Sequence, residues 1–211
     1  MEKLAGMKEA ESCQRTTLSA ICLLVTLRAF QFFFFIATSY FLPTALLHGA
    51  LSIGATYSLN FIDIDGNKCS TAEGHVTVLV LTTPADREKA RTVGDRVPEH
   101  CLGNPDYRMI TVCRFTRKHT AIGRRIATAL VRHRTNEEAR RLQPRYDRNG
   151  IKRDARKDIF IVTDFDGSVS SQLGQAEGTT DFCVFVFGRN GELLAQWHGV
   201  PSAEQLAVAL K

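Results

Sequence analysis

No two of the six cysteines in this 211-residue chain form a Cys-x-x-Cys pair. Cys13, Cys22, Cys69, Cys101, Cys113 and Cys183 stand singly, and none lies at zinc spacing from a histidine. A local dithiol motif and a Cys/His zinc site are thereby excluded. The histidines (His48, His75, His100, His119, His133, His198) are equally scattered, so no ligand pair emerges and no cofactor or metal is expected. Acids are scarce in one window. Between Arg114 and Asp158, fifteen Lys and Arg face only Glu137, Glu138, Asp147, Asp154 and Asp158, on a chain whose total charge is +5. The rest is therefore net acidic, and the chain reads as a basic insertion on an acidic body.

That insertion, about residues 116–150, is also poor in aromatics. Phe115 precedes it and Tyr146 stands near its end, but no aromatic ladder accompanies the arginines, which disfavours nucleic acid as the partner. Ile122, Ile126, Leu130 and Val131 recur at helical spacing and predict a helix whose apolar stripe packs on a sheet. Pro144 and Asn149-Gly150 are expected to end it. Arg124, Arg125, Arg132, Arg134, Arg140 and Arg141 form a candidate patch for an anionic partner, either an acidic protein or an anionic membrane surface.

The N-terminal region holds two apolar stretches separated by Arg28. Leu18–Leu27 is too short to span a bilayer, and Phe32–Leu47 has the length of a signal-peptide core or slightly more. Small residues at His48-Gly49-Ala50 or Ile53-Gly54-Ala55 suit cleavage. Residues 1–55 are thus expected to be an export signal or an uncleaved membrane anchor, unless Met1 lies upstream of the true start, and 56–211 the mature domain. A periplasmic or other extracytoplasmic location follows.

From Thr56 the pattern turns globular. Tyr57–Ile64 alternates apolar and polar residues, and Asp65-Gly66-Asn67 makes a turn. Val76–Leu81 is continuously apolar, as in a central strand buried on both faces. A helix is expected from Pro84 to about Glu99, then a strand at Tyr107–Phe115, the basic helix, and a strand at Asp158–Thr163. Phe182–Phe187 and Leu193–Trp197 form a hairpin across Gly188-Arg189-Asn190-Gly191. Pro201 opens a closing helix with Leu206, Val208 and Leu210 as its apolar positions. The order of elements predicts a mixed α/β sheet with helices on both faces.

The Asp63-Ile64-Asp65-Gly66-Asn67 turn, the GHVTVLVL strand, the helix from Pro84, the DFDGSVSSQLG segment and the FVFGRNGELLAQWHG hairpin together resemble the redoxin branch of the thioredoxin-like superfamily. The layout is most similar to the periplasmic YtfJ-type family, which shares an exported N-terminus, lacks the cysteine pair and carries a long insert before a strand that here reads FIVTDFDG. The resemblance places the family's active-site Cys-x-x-Cys on Thr83, Pro84, Ala85 and Asp86. A reductase needs a thiolate at that helix N-terminus and a second thiol to resolve the mixed disulfide. Thr83 does not ionise appreciably and Asp86 has no redox couple. A peroxiredoxin would also need a cysteine here. The family's cis-proline falls near Phe182, where no proline stands. The resemblance therefore implies a thioredoxin-like domain that is not catalytic and serves binding or an accessory role.

Two other chemistries deserve weight. An atypical redox or peroxiredoxin-like protein would use Cys101, Cys113 or Cys183, and an approach of Cys101 to Cys113 is conceivable. A phosphatase of the haloacid-dehalogenase kind would use Asp63 as nucleophile and Asp65 as proton donor, because Asp63-x-Asp65-Gly66-Asn67 resembles that family's motif. Asn67 replaces its threonine, and aspartate–glycine turns are common between strands. A calcium loop starting at Asp63 fails at Lys68 and Gly74, where glycine and glutamate are needed.

Overall fold

The computed structural model describes residues 51–176 and 179–211. Residues 1–50, which hold most of the expected export segment, lie outside the described residues. Among the described residues no helix is long and apolar enough to cross a membrane.

Strand β3 (Val76–Thr82) is buried from Thr77 onward, as its β-branched and leucyl run demands. It occupies the centre of a five-stranded sheet ordered β5-β4-β3-β6-β7. Strands β4 (Tyr107–Arg114) and β5 (Ile159–Asp164) run parallel to it; β6 (Cys183–Phe187) and β7 (Leu193–His198) complete the sheet as an antiparallel hairpin. Parallel neighbours need crossovers. Helix α1 (Arg87–Arg96) supplies the one between β3 and β4, and helix α2 (Ala121–Arg148) the one between β4 and β5. Strands β1 (Asn60–Ile62) and β2 (Lys68–Ser70) pair separately, short helix α3 (Ser168–Gln172) follows β5, and α4 (Ala203–Ala209) closes the chain.

Alternate strand residues feed two cores. On one face Leu79, Leu81, Ile110, Val112, Phe185 and Phe187 meet Phe61 and Cys69 of the β1–β2 hairpin and Leu173 after α3. On the other, Val78, Val80, Val184 and Val186 meet Ala90 and Val93 of α1 and Leu206 and Leu210 at α4. This is the thioredoxin-like mixed sheet that the order of pieces implied. The hairpin turn depends on Gly191, whose φ is +84° and whose added Cβ would stand 2.3 Å from the Tyr57 carbonyl oxygen.

Four expectations need correction. The segment after β3 begins as a 3₁₀ turn (Pro84–Asp86), and α1 ends at Arg96, ahead of Pro98 and short of Glu99. Helix α2 runs through Pro144 to Arg148. Both Pro144 and Arg140, whose carbonyl loses its amide donor, face solvent, so water can replace the missing bond. Val208 is exposed while Leu206 and Leu210 are buried, because only the latter pair share a helical face. Most consequentially, the Ile122–Ile126–Leu130 stripe does not pack on the sheet: the three residues are 71%, 65% and 48% exposed. Polar anchors fix the rotation of α2 instead. Tyr146 donates to Asp158 at 2.9 Å, and Arg145 to Glu99 and to the Val97 carbonyl. The buried face therefore passes through Thr135, Ala139 and Tyr146.

Candidate functional site

Thr83 leaves β3 in extended conformation (φ −108°, ψ 165°) and stands before the 3₁₀ turn that leads into α1. Its hydroxyl caps no helical amide; it donates to Asp86 Oδ2 at 3.0 Å. The Asp86 carboxylate also receives Lys89 Nζ on Oδ1 at 2.7 Å. The Lys89 ammonium, and after it the Thr83 hydroxyl, hold the Asp86 carboxyl below the usual carboxylate range. Lys89 in turn lies 5.9 Å from the centre of the Phe182 ring. By continuation of the β3–β6 register, Phe182 lies opposite Thr82, and no cis peptide occurs among the described residues. The four positions Thr83, Pro84, Ala85 and Asp86 thus form an ion-paired hydroxyl–carboxylate frame. Nothing in it exchanges electrons. Lys89 completes it, and its signal was the i,i+3 spacing from Asp86.

The cysteines do not supply what the frame lacks. Cys69, Cys101, Cys113 and Cys183 are free and buried. Cys113 pairs with Thr82 across one side of β3, and Cys183 with Leu81 across the other. Cys183 shares a core with Leu79 and Leu81, whereas Cys113 alternates with Val112 and points to the other face of the sheet. Cys101 precedes β4 while Cys113 nears its end, six strand residues beyond Tyr107. Both are free, so no disulfide joins Cys101 to Cys113. Burial pushes the thiols of Cys101, Cys113 and Cys183 up to about 11. Cys183 Sγ lies 3.4 Å from His198 Nδ1, the one thiol–imidazole contact among the described residues.

Asp63 and Asp65 serve the turn instead of forming a nucleophile pair. Asp63 accepts the Asp65 amide (2.9 Å), the Asn67 amide (2.7 Å) and the Asn67 side-chain nitrogen (2.9 Å). Asp65 is bound by Arg132 and Arg156. Asp63 follows β1, outside the five-stranded sheet, and both of its oxygens are engaged within its own turn. The attacking carboxylate of a phosphatase needs a free oxygen facing substrate.

The candidate arginines do not share one helical face. Arg132 is tied to Asp65, and Arg141 to Glu138 and Asp95. Arg124 lies 5.5 Å from the Phe165 ring centre, which itself stacks on Phe115. Arg125 and Arg140 are exposed. Arg134 is partly buried and lines a cavity of about 320 Å³ between α1, α2 and the sheet. That cavity was not legible in the sequence. The alternation of Met109, Thr111 and Cys113 marks a strand face, but nothing in it says that the covering helix stands off.

No family model matches the chain, and no curated protein matches it. Solved structures do. StoA from Bacillus subtilis is 14% identical over 75% of this chain and 99% of its own, with a TM-score of 0.44. A Chlorobium tepidum protein assigned as the thiol:disulfide interchange protein DsbE is 14% identical over 77% and 100%, with a TM-score of 0.48. The exposed lipoprotein thioredoxin Etrx1 from Streptococcus pneumoniae is 12% identical over 73% and 98%, with a TM-score of 0.44. The likeness is one of fold alone.

Proposed function

We propose that the chain is an exported thioredoxin-fold protein without thiol–disulfide chemistry, acting as a binding or accessory protein in the manner of the YtfJ-type family it resembles. The observation that carries this reading is the Thr83–Asp86–Lys89 network at the place where the redox sulfurs would stand. The helix N-terminus that would stabilise a thiolate is offset there by a carboxylate. Export rests on the apolar segment before residue 55. The partner surface is the first half of α2, where exposed Ile122, Ile126 and Leu130 accompany Arg124 and Arg125 and no acid precedes Glu137. Apolar side chains among cations suit an anionic lipid surface, into which the apolar groups can insert.

Insulin reduction by the full-length protein with dithiothreitol tests the redox half of this reading: the expected rate equals the reductant alone. Turnover lost on Cys101→Ser, Cys113→Ser or Cys183→Ser overturns it. Co-sedimentation with vesicles tests the other half. Binding to vesicles containing anionic lipid, weakened by Ile122→Ser/Ile126→Ser, is the expected result; equal binding to neutral vesicles contradicts it.

One contact favours a second reading. Cys183 beside His198 is the arrangement that activates a thiol when the imidazole can take its proton. The complete burial of Cys183 works against it. Thiol alkylation at Cys183 that accelerates through neutral pH would support this reading.

A further inference from the structure

The sheet face beneath α2 is incompletely covered. Met109 and Thr111 of β4 and Ile159 and Ile161 of β5 are only partly buried, whereas Ile110, Val112 and Val162 on the opposite face are fully packed. Among the α2 residues that line the gap, Ala127, Val131 and Thr135 are small or short. Native interiors seldom leave such space unfilled. The resulting cavity of about 320 Å³ falls at the low end of the range of ligand pockets.

Charged side chains reach this space, and nearly all are matched. Arg91 and Arg141 bind Glu138, and Arg141 also binds Asp95. Arg108 binds Glu73, Arg87 binds Glu88, and Asp158 is held by Arg153 and Tyr146. Arg134 alone has no hydrogen-bond or ion-pair partner among the described residues of the lining. Arg134 and Cys113 line the same cavity, and the guanidinium charge partly counters the upward push of burial on that thiol. A partly buried cation without a counter-charge is costly, and a carboxylate would satisfy it with two parallel hydrogen bonds. The entrance has chemistry too. Leu130 belongs both to the exposed Ile122–Ile126–Leu130 stripe and to the cavity wall, so an apolar track leads from solvent inward.

We infer that this cavity binds a single-chain anionic amphiphile, with its alkyl chain along Met109, Thr111 and Ile161 and its carboxylate on Arg134. The volume suits one chain of medium length and not a two-chain phospholipid. Occupancy is independent of whether the Thr83–Asp86 frame is inert and of whether α2 meets a membrane.

Displacement of 1-anilinonaphthalene-8-sulfonate from the full-length protein tests this, with dodecanoate below its micellar concentration and dodecanol as the uncharged control. Dodecanoate is expected to displace the dye, with dodecanol about tenfold weaker. Arg134→Gln should weaken dodecanoate by about tenfold and leave dodecanol unchanged. Ala127→Trp should remove binding of both by filling the cavity. Bound dodecanoate should also slow alkylation of Cys113, on the cavity side, and not of Cys183, on the other face. Dodecanoate affinity unmoved by Arg134→Gln, or equal protection of the two cysteines, overturns the assignment. Should Ala127→Trp fail to fold, the Arg134→Gln comparison decides alone.

Discussion

The Thr83 hydroxyl donates to Asp86 Oδ2 across 3.0 Å, three residues apart at the end of the central strand. We propose, on the resemblance of the sequence to the redoxins, that these two side chains stand at the positions of that branch's dithiol. The bond joins them without any electron transfer, and Lys89 neutralises the acid from the next turn.

This network makes a pH-dependent contribution to stability. The Asp86 carboxyl is held below its ordinary value of 3.8 in the folded chain, so its stabilisation is full above that value. It disappears as pH falls through the lower folded value. Lys89 is half exposed, which limits the effect to about 0.5–1 kcal/mol. Asp86→Asn should therefore lower stability at pH 7 and leave it nearly unchanged at pH 2. Urea unfolding followed by the fluorescence of Trp197, the sole tryptophan, measures both.

Gly191→Ala should be among the most damaging single changes. The residue adopts φ +84°, and an added Cβ would collide with the Tyr57 carbonyl oxygen. The left-handed conformation alone costs about 1–2 kcal/mol, and the clash adds to it because backbone cannot give way cheaply. A loss of more than about 2 kcal/mol in urea unfolding is expected. Gly150→Ala is the control: its φ is also positive, but nothing lies within 4 Å.

The exposed stripe and the cores should respond oppositely to truncation. Ile126→Ser is expected to change stability by less than about 0.5 kcal/mol, as for a surface site. Phe185→Ala, at a fully buried position, should cost about 3–5 kcal/mol. If Ile126→Ser were comparably destabilising, α2 would have to pack through its Ile/Leu stripe after all.

Tyr146 pins the C-terminal end of α2 by donating to Asp158. Its side chain is almost completely buried. Tyr146→Phe keeps the packing and removes one hydrogen bond to a carboxylate that Arg153 still satisfies. A loss of about 1–2 kcal/mol is expected. Faster amide exchange in residues 139–148 should accompany it, with β3 unaffected.

Much of this architecture was legible because local pattern and tertiary role agree. Val76–Thr82 is apolar on both faces because it is the middle strand, and Gly188–Gly191 turns because it must. The basic helix was legible as a helix but not in its rotation. The Ile122–Ile126–Leu130 spacing satisfies a buried stripe as well as an exposed one, and the choice was made by remote polar anchors such as Tyr146–Asp158. The same holds for the site. The resemblance singled out Thr83 and Asp86, and the structure adds the hydrogen bond between them, whereas the cavity at Arg134 depends on how far α2 stands from β4 and β5. The face relationship of Cys113 and Cys183 needed the strand register.

The claim that the frame persists without its reagent is tested most directly by restoring the reagent. Wild-type protein should show no insulin reduction, and its Cys101, Cys113 and Cys183 should remain unpaired under a glutathione redox buffer. Thr83→Cys/Asp86→Cys should form an intramolecular disulfide in that buffer and gain insulin reductase activity. Turnover by the wild type, or a failure of the two introduced cysteines to pair in a folded protein, would contradict the account.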